Sequence, residues 1–381
     1  MIIGIDGNEA NITHRLGVNQ YAAELLKALE KLAPRREHEW VIYLSQPPLP
    51  HLPHERKGWK YVVLHGEGLW VLRKLTPYLW RNKDKINVLF TPSHYTPPFL
   101  PKPIVMSIMD LNYLKYPQFL TKKDLLQLKI WTQTSLTNAA RVIAISESTK
   151  NEIIKNYPRI KKKISVTPLG YDKNQFFYPY PKTKIEKIKK KYGIKDNYLL
   201  YLGALKPNKN VEGLVEAISL VKGKVPDITL VIAGKKGWLY EPIFKKVSEL
   251  ALKESVIFTD YIPEEEKAAL YAGARALVSP SFWEGFGMHV LEGMGTGCPV
   301  VISKAGSLEE VGGTAAIYVD PQKPMSIAEG ILSVVEAPPS RYNKLKKKVL
   351  NQARKFSWEK TARETLKTLE EAVGTKDQEK C

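Results

Sequence analysis

The amino-acid sequence predicts an α/β protein built from two doubly wound, Rossmann-like domains. The chain has 381 residues, which exceeds the ~100–200 residues that one domain usually holds. Its composition, 44% apolar and 25% charged, is that of an ordinary globular protein. Short apolar runs rich in β-branched residues alternate with longer amphipathic stretches along the chain. This alternation indicates parallel sheets that are covered by helices on both faces.

The first domain is predicted from seven apolar runs of the length of a buried strand. Helical patterns lie between most of them, for example over 20–32 and 124–140. The runs span residues 2–6, 40–45, 61–65, 88–91, 104–110, 142–146 and 164–169.

The second domain repeats this organisation with six runs, and helical patterns such as 211–221 and 244–253 lie between them. In doubly wound sheets the ligand lies at the carboxyl ends of the strands, so we expect the site in a cleft between the two domains. The runs span residues 198–205, 228–233, 256–259, 276–279, 299–303 and 316–319.

One interruption of the strand pattern, over residues 172–197, indicates the domain boundary. It contains the sequence Tyr-Pro-Tyr-Pro at 178–181, followed by a basic helical pattern. We therefore predict an N-terminal domain over 1–182 and a C-terminal domain over 183–356.

The charge of the chain favours anionic partners. Fifty-eight Lys and Arg against thirty-nine Asp and Glu give a formal net charge of +19, although such a surface also serves solubility alone. The aromatic and basic stretch 70–81 suits a membrane interface, so we predict reversible contact with anionic membranes. The alternative is that Trp70, Leu72, Leu75 and Trp80 pack in the first domain. The sequence contains no motif of alternating aromatic and basic residues that would bind single-stranded nucleic acid. We therefore expect no nucleic-acid partner.

Cysteine usage and the start of the chain predict a cytoplasmic protein, peripheral at the inner membrane face where its basic patches meet lipid. Cys298 and Cys381 indicate neither a disulfide framework nor a cysteine-based zinc site. The first residues lack the basic flank and the long apolar segment of a secretion signal. No run of ~18 apolar residues predicts a transmembrane helix.

The segment that most strongly indicates a site is 281–292, with the sequence SFWEGFGMHVLE, directly after the predicted strand 276–279. Gly285 and Gly287 allow the backbone to approach a ligand closely. A helix is predicted to begin near Met288, and its free N–H groups would favour an anion or sugar oxygens.

Two carboxylates of this segment, Glu284 and Glu292, are too far apart in sequence to share one proton. They suit hydroxyl groups at two separate places, as a nucleotide-sugar presents on its ribose and its hexose. The alternative is a helix start with a surface glutamate.

The seven-residue separation of Glu284 and Glu292, with Gly-Phe-Gly between them, resembles the E-x7-E signature of glycosyltransferase family 4. The stretches 279–301 and 306–316 are similar to the core of that family, and a looser similarity extends over nearly the whole chain. The resemblance implies the two-domain GT-B fold. It also implies that a last helix, about 357–374, packs back on the N-terminal domain.

The resemblance further implies which residues bind the donor. Glu284 would hold the sugar hydroxyls and Glu292 the ribose. The backbone around Tyr261 would contact the nucleotide base. The donor-binding set is completed by Gly203, Asn208, Gly234, Lys235, Tyr261, Ile262, Gly285, Phe286, Gly287, Met288 and Leu291.

Lys209 matches the lysine of an Arg-Lys pair that binds the diphosphate in the family and stabilises the leaving group. The arginine is absent, because Asn208 or Ala204 stands in its place. Lys206 is a candidate substitute, although an ammonium lacks the fork of a guanidinium. An exposed lysine at a helix start is the alternative interpretation of Lys209.

In the first domain, Gly17 resembles the first glycine of the family's Gly-Ile-Gly-x-Tyr loop, which covers the donor phosphate. The family commonly has His-Asp at the end of the run 104–110. Asp110 is present and is predicted to orient the acceptor, whereas Met109 replaces the histidine and makes no useful hydrogen bond. His94 is a candidate substitute for that histidine, and a structural role is its alternative.

The resemblance implies a glycosyltransferase that retains anomeric configuration and uses neither a metal nor another cofactor. Lys209, Glu284 and Asp110 are the predicted catalytic residues. GDP-mannose is the preferred donor and a UDP-sugar the alternative, and the acceptor is a glycan or a lipid-linked saccharide. Two other functions remain open: a nucleotide-sugar-binding protein that has lost catalysis, and a GT-B epimerase.

Overall fold

The computed structural model describes residues 1–15, 17–33 and 38–378. These residues form two compact α/β units. The first unit comprises Met1–Leu169 and a C-terminal helix that begins at Trp358, and the second comprises Gly170–Ser357. The predicted α/β class with two Rossmann-like domains is confirmed.

The described part of the first unit contains one sheet of seven parallel strands, in the order β3-β2-β1-β4-β5-β6-β7. The strands are β1 (Ile2–Asp6), β2 (Glu39–Leu44), β3 (Trp59–Val63), β4 (Val88–Thr91), β5 (Ile104–Ile108), β6 (Arg141–Ala144) and β7 (Ile164–Val166). The helices are α1 (Val18–Leu32), α2 (Thr76–Arg81), α3 (Asn112–Lys115), α4 (Lys122–Asn138), α5 (Glu147–Asn156) and, after the second unit, α14 (Trp358–Gln378).

The second unit contains a sheet of six parallel strands, in the order β10-β9-β8-β11-β12-β13. The strands are β8 (Tyr198–Leu202), β9 (Thr229–Ala233), β10 (Val256–Asp260), β11 (Ala276–Ser279), β12 (Val300–Ser303) and β13 (Ile317–Val319). The helices are α6 (Lys182–Tyr192), α7 (Val211–Lys222), α8 (Glu241–Glu249), α9 (Glu264–Gly273), α10 (Met288–Gly295), α11 (Leu308–Gly312), α12 (Pro324–Val335) and α13 (Pro339–Ala353).

The central strands of both sheets are continuous apolar runs because helices cover both of their faces. All four residues of β11 are buried, as are all five of β9. Each predicted run overlaps one observed strand. The runs 104–110 and 198–205 extend past the strands Ile104–Ile108 and Tyr198–Leu202, since their last residues belong to the loops at the carboxyl edge.

The boundary between the units lies at residue 170, earlier than the predicted 182. The segment before α6 packs on the second unit: the Tyr171 ring lies against Gly295, and the Phe176 and Tyr271 ring centroids are 5.9 Å apart. The Gln175 amide donates to the carbonyl of Glu264 at 2.5 Å. These contacts assign residues 170–181 to the C-terminal unit although they precede its first strand.

The aromatic and basic stretch 70–81 contributes mainly to the core of the first unit. Trp70, Leu75 and Leu79 are buried, and the Trp70 indole N–H donates to the Leu64 carbonyl at 2.6 Å. Only Trp80 and Leu72 keep a large exposed surface. The packing alternative therefore holds for Trp70 and Leu75 and is wrong for Leu72 and Trp80. No helix in the described part of the chain is both long and apolar enough to cross a bilayer.

Helix α14 completes the first unit. It packs against α1 and against β4, β5 and β6, and it begins two turns before the buried Leu366 and Leu369. The Thr361 hydroxyl donates to the Pro168 carbonyl at 2.7 Å. The observed helix is longer than the predicted 357–374.

We expect Leu369→Ala to lower the free energy of unfolding by about 2–5 kcal/mol, because the fully buried side chain leaves a cavity. Urea denaturation followed by fluorescence measures this loss. The control is Lys367→Ala, whose side chain is largely exposed, with an expected change within about 0.5 kcal/mol. Equal effects of the two variants would contradict the packing of α14.

Candidate active site

The candidate site lies in the second unit, at the edge where β8, β9, β10 and β11 end. Because all of these strands are parallel, the loops that follow them lie side by side. These loops carry most of the predicted donor-binding residues.

Gly234 owes its identity to the close packing of two loops. Gly234 has a φ of +150°, and a Cβ there would collide with the carbonyl of Gly203. Its N–H donates to the Asp260 carbonyl at 2.8 Å, and the Gly203 N–H donates to the Ala233 carbonyl at 2.9 Å. Gly234 therefore has a structural reason that is independent of a ligand.

The central contact of the site joins Lys209 and Glu284. The Lys209 Nζ lies 2.6 Å from each oxygen of the Glu284 carboxylate. Glu284 is buried, while the Lys209 side chain keeps 20% of its surface exposed. The Ser281 hydroxyl donates to the same carboxylate at 2.9 Å. The structure thus brings together two predicted catalytic residues and adds a serine that sequence reasoning missed.

The pKa of Glu284 is set by opposing effects. Burial raises the pKa of its carboxyl, but the charges of Lys209 and His289 and the hydrogen bonds from Lys209 and Ser281 outweigh burial and hold it below the usual value. Lys209 is the main source of positive charge at neutral pH, since burial lowers the pKa of His289 to about 4. Glu284 is therefore an ionised acceptor of hydrogen bonds.

The backbone of Glu284 is fixed by the loop after β12. Its carbonyl accepts from the N–H of Ser307 at 3.1 Å and from the Ser307 hydroxyl at 3.2 Å. Gly306 has a φ of +64°, and a Cβ there would collide with the same carbonyl. The Glu284 side chain is consequently presented from a loop that cannot shift far.

Lys209 ends a short 3-10 turn, Pro207–Lys209, rather than beginning α7 as predicted. The Asn208 carbonyl accepts from the N–H of Phe282 at 2.8 Å, and Asn208 itself is buried. Asn210 follows with a φ of +54°, and its amide donates to the carbonyls of Pro280 and Pro321. Asn208 and Asn210 therefore attach the lysine turn to the Glu284 loop.

Glu292 lies on α10 and is buried next to a tyrosine and a lysine that sequence reasoning missed. The Tyr271 hydroxyl donates to its carboxylate at 3.0 Å. Burial alone lowers the pKa of Lys267, but the carboxylates of Glu292 and Glu264 outweigh burial and raise this pKa above its usual value. The charged ammonium form of Lys267 is therefore stabilised. The Glu292 carboxylate accepts from Tyr271, whereas that of Glu284 accepts from Lys209 and Ser281.

The start of α10 depends on Gly287, which has a φ of +93° at the N-cap. Met288 begins the helix as predicted. Phe286 packs edge-on against Phe356, and Leu291 is fully buried. These two apolar side chains support the helix within the core of the unit.

Two further lysines at this edge lie over aromatic rings. The Lys235 Nζ is 4.7 Å from the centre of the Tyr261 ring, and the Lys206 Nζ is 4.0 Å from that of Trp238. Ile262, next to Tyr261, is buried. Cation–π contacts of this length hold a lysine near a site while leaving its N–H groups to other partners.

The predicted residues of the first unit lie in loops that follow its strands. Gly17 has a φ of +54° and precedes α1, with open space where a Cβ would be. Asp110 is exposed, and its carboxylate accepts from the N–H of Asn112 at 2.9 Å. The His94 and Tyr95 rings are tilted by 50° with their centroids 4.1 Å apart, and burial lowers the pKa of the imidazole to about 4. The His94 Nε2 is buried without a hydrogen-bond partner among the described residues.

Another residue that the sequence did not single out is His289, whose Nε2 lies 2.8 Å from the Ser279 hydroxyl. Its position on α10, five residues after Glu284, gives no pattern that distinguishes it from a surface residue. In the described residues no three His, Cys, Asp or Glu side chains group in a way that could hold a metal ion.

Two family models match adjoining parts of the chain and together span most of it. The model of glycosyltransferase family 4 matches residues 16–175, and that of glycosyl transferases group 1 matches residues 184–356. The second range contains Lys209, Glu284 and Glu292. The chain belongs to the family 4 glycosyltransferases. The predicted resemblance and the predicted hexosyltransferase class are confirmed.

Relatives of this glycosyltransferase include two bacterial proteins that are named as O-antigen chain mannosyltransferases. The O-antigen chain mannosyltransferase B of Escherichia coli is 29% identical over 370 residues, which cover 92% of this chain and 94% of that protein. The O-antigen chain mannosyltransferase RfbU of Salmonella typhimurium is 28% identical over 253 residues, 66% of each chain.

A solved structure, sucrose-phosphate synthase from Thermosynechococcus elongatus, shares the fold of this glycosyltransferase with a TM-score of 0.76. The two are 19% identical over 98% of this chain and 99% of the other. Likeness at this level of identity establishes the GT-B fold.

We expect His289→Gln to make stability less dependent on pH between about 6.5 and 4. In the folded state burial keeps the imidazole neutral. The charges of Lys209 and Lys267 also lower its pKa, and the charge of Glu284, which raises the pKa, does not outweigh these effects. The unfolded state takes up a proton near the ordinary pKa of about 6.5. The free energy of unfolding of the wild type therefore falls as pH falls through this window, by up to about 1.4 kcal/mol per pH unit.

Urea denaturation of the wild type and of His289→Gln at several pH values measures this slope. Glutamine keeps a donor for Ser279 but does not titrate. Identical slopes for the two proteins would contradict a neutral His289.

Proposed function

We propose that this glycosyltransferase transfers a mannosyl group from GDP-mannose to a glycan or lipid-linked acceptor, with retention of anomeric configuration and without a metal. The observation that carries the proposal is the contact of Lys209 with Glu284 at the edge where four parallel strands end. A cation for the diphosphate and a carboxylate for sugar hydroxyls meet there at hydrogen-bond distance. The names of the relatives support mannose as the sugar.

In the proposed reaction the acceptor hydroxyl attacks the anomeric carbon from the face that the diphosphate leaves. The bond between the anomeric carbon and the phosphate oxygen breaks, and the new glycosidic bond forms on the same side. The proton of the hydroxyl passes to the departing phosphate oxygen. Lys209 and the N–H groups at the start of α10 stabilise the charge that develops on this oxygen.

The other residues bind and orient the substrates in this proposal. Glu292, held by the Tyr271 hydroxyl, accepts from the ribose. Lys235 neutralises part of the diphosphate, and the backbone around Tyr261 and Ile262 contacts the base. In the first unit Asp110 is assigned to the acceptor.

We expect Glu284→Ala to reduce transfer of mannose from GDP-mannose by about 100-fold or more, because the variant loses the acceptor of sugar hydroxyls and the partner of Lys209. Radiolabelled transfer to a mannose-terminated saccharide measures the rate, and thermal melting checks the fold. Glu329→Ala is the control, since Glu329 is an exposed carboxylate on α12. An active Glu284→Ala enzyme would contradict the assignment.

The same assay separates the other functions. Transfer from UDP-glucose in preference to GDP-mannose would replace the proposed donor. Donor binding without transfer to any saccharide would indicate a binding protein that has lost catalysis. Conversion of the nucleotide-sugar without an acceptor would indicate an epimerase.

The first unit also presents a surface that suits an anionic membrane, and we propose that the enzyme binds there reversibly. Helix α4 exposes Leu126 (59%) and Ile130 (53%), one turn apart on the same face. Lys122, Lys123 and Lys129 are exposed on the same helix. We define these five residues as the α4 surface.

The nearby loop after β4 adds a further exposed apolar residue, Phe99, with 80% of its surface exposed. Tyr95 packs edge-on against Trp131 and the Thr96 N–H donates to Ser135, so this loop lies on α4. Apolar side chains flanked by lysines are typical of segments that bind the interface of anionic bilayers. Two copies of the chain would instead bring the lysines of the α4 surface together, which like-charge repulsion opposes.

We expect the enzyme to sediment with phosphatidylglycerol vesicles at low salt, and not with phosphatidylcholine vesicles or at high salt. The double variant Leu126→Ser, Ile130→Ser should bind several-fold more weakly. The matched control is Leu72→Ser, Trp80→Ser in the stretch 70–81, which should bind as the wild type does. Equal sedimentation of the wild type and the α4 variant would remove this surface from the proposal.

A further inference from the structure

The contact between Lys209 and Glu284 gives each of the two charged groups a partner within the protein itself. Both carboxylate oxygens lie 2.6 Å from the same Nζ. The residues were predicted to serve different parts of the donor, the diphosphate and the sugar. In the structure the ammonium assigned to the phosphate is hydrogen-bonded to the carboxylate assigned to the sugar.

We propose that Glu284 competes with the diphosphate for Lys209, and that this competition makes the enzyme hold its intact donor more tightly than the nucleoside diphosphate that remains after transfer. This inference rests on the proposed use of a nucleotide-sugar. It assigns Glu284 a role in product release in addition to sugar binding.

The competition follows from the burial of Glu284. A buried carboxylate is costly without a partner, and Ser281 supplies only one hydrogen bond. The Ser307 groups bind the backbone carbonyl of Glu284 and not its side chain. Any anion that draws Lys209 away therefore leaves the Glu284 carboxylate poorly satisfied.

An intact donor removes this penalty. The hydroxyl groups of a bound hexose donate to the Glu284 carboxylate and take the place of the Lys209 N–H groups. Lys209 is then free to bind the phosphate oxygens. A nucleoside diphosphate carries the phosphate without the sugar hydroxyls, so Glu284 continues to attract Lys209 and weakens its hold on the product.

The other lysines at this edge do not replace Lys209 as the partner of Glu284. Lys235 lies over Tyr261 and Lys206 over Trp238. His289 adds little charge, since it is neutral at neutral pH. Glu284 and the diphosphate therefore compete for the ammonium group of Lys209.

Isothermal titration calorimetry with guanosine, GDP and GDP-mannose tests the proposal. If UDP binds the wild type more tightly than GDP does, the corresponding uridine compounds are used instead. Glu284→Gln is the central variant. Its amide oxygen still accepts from Lys209 and its amide nitrogen can donate to Ser281, but it carries no charge. We expect it to bind GDP about tenfold more tightly than the wild type and GDP-mannose no more tightly, so the preference for the donor shrinks.

Two further variants keep the proposal testable on their own. Ser281→Ala removes the other hydrogen bond of the carboxylate, so Glu284 should hold Lys209 more firmly and GDP should bind about twofold more weakly. In a Lys209→Ala background, Glu284→Gln should change GDP affinity by less than about twofold. Thermal melting establishes that each variant is folded.

Unchanged or weaker GDP binding by Glu284→Gln would overturn the proposal. A tenfold gain that persists in the Lys209→Ala background would also overturn it, because direct repulsion of the phosphate by Glu284 would then suffice. If the wild type binds GDP no better than guanosine, the diphosphate site itself fails, and with it both this inference and the proposed function. If the wild type prefers GDP to guanosine and only the Glu284→Gln gain is missing, the proposed function stands without this inference.

Discussion

The burial of an ionised carboxylate is the constraint on which the site of this glycosyltransferase depends. Glu284 is buried in a loop at the edge of a parallel sheet, where an uncompensated charge would be strongly destabilising. Lys209 provides the compensation from the turn after the neighbouring strand. The two loops must therefore be held at a fixed separation, and the surrounding hydrogen bonds from Asn208 and Asn210 serve this purpose.

The glycines of the site contribute mainly through the close packing of backbone on backbone. Gly234 lies against the carbonyl of Gly203, and Gly306 against that of Glu284. At both positions a side chain would force two strand-end loops apart. The loops must stay in close backbone contact for a ligand to bind across them. If the loops separated, Lys209 would move away from Glu284.

The sequence was sufficient to predict the fold because each strand of a parallel sheet is buried on both faces. Each strand therefore appears in the sequence as a short, continuous apolar run. Lys209 and Glu284 were found because each follows such a run and matches a family motif. The partners of these residues could not be found in this way. Tyr271 becomes a neighbour of Glu292 only through tertiary packing. Ser281 and His289 lie in the segment 281–292, but the sequence pattern assigns no role to either position.

Local pattern also misled where packing decides the outcome. Residues 170–181 precede the first strand of the second unit, but their aromatic rings fill space beside Gly295 and Tyr271. In the stretch 70–81, Trp70 and Leu75 are buried in the core, whereas Leu72 and Trp80 stay exposed. Amphipathic composition alone does not distinguish these two environments.

The return of α14 to the first unit has a consequence for the synthesis of the chain. The sheet of the first unit is translated early, but the helix that covers α1 and the central strands follows the entire second unit in sequence. Domains generally fold as the nascent chain emerges, so the surface that will receive Leu366 and Leu369 faces solvent while the ribosome is still making the second unit. The second unit can complete its core first, although it is encoded later, and the uncovered apolar surface of the first is a natural binding site for a chaperone until translation reaches Trp358.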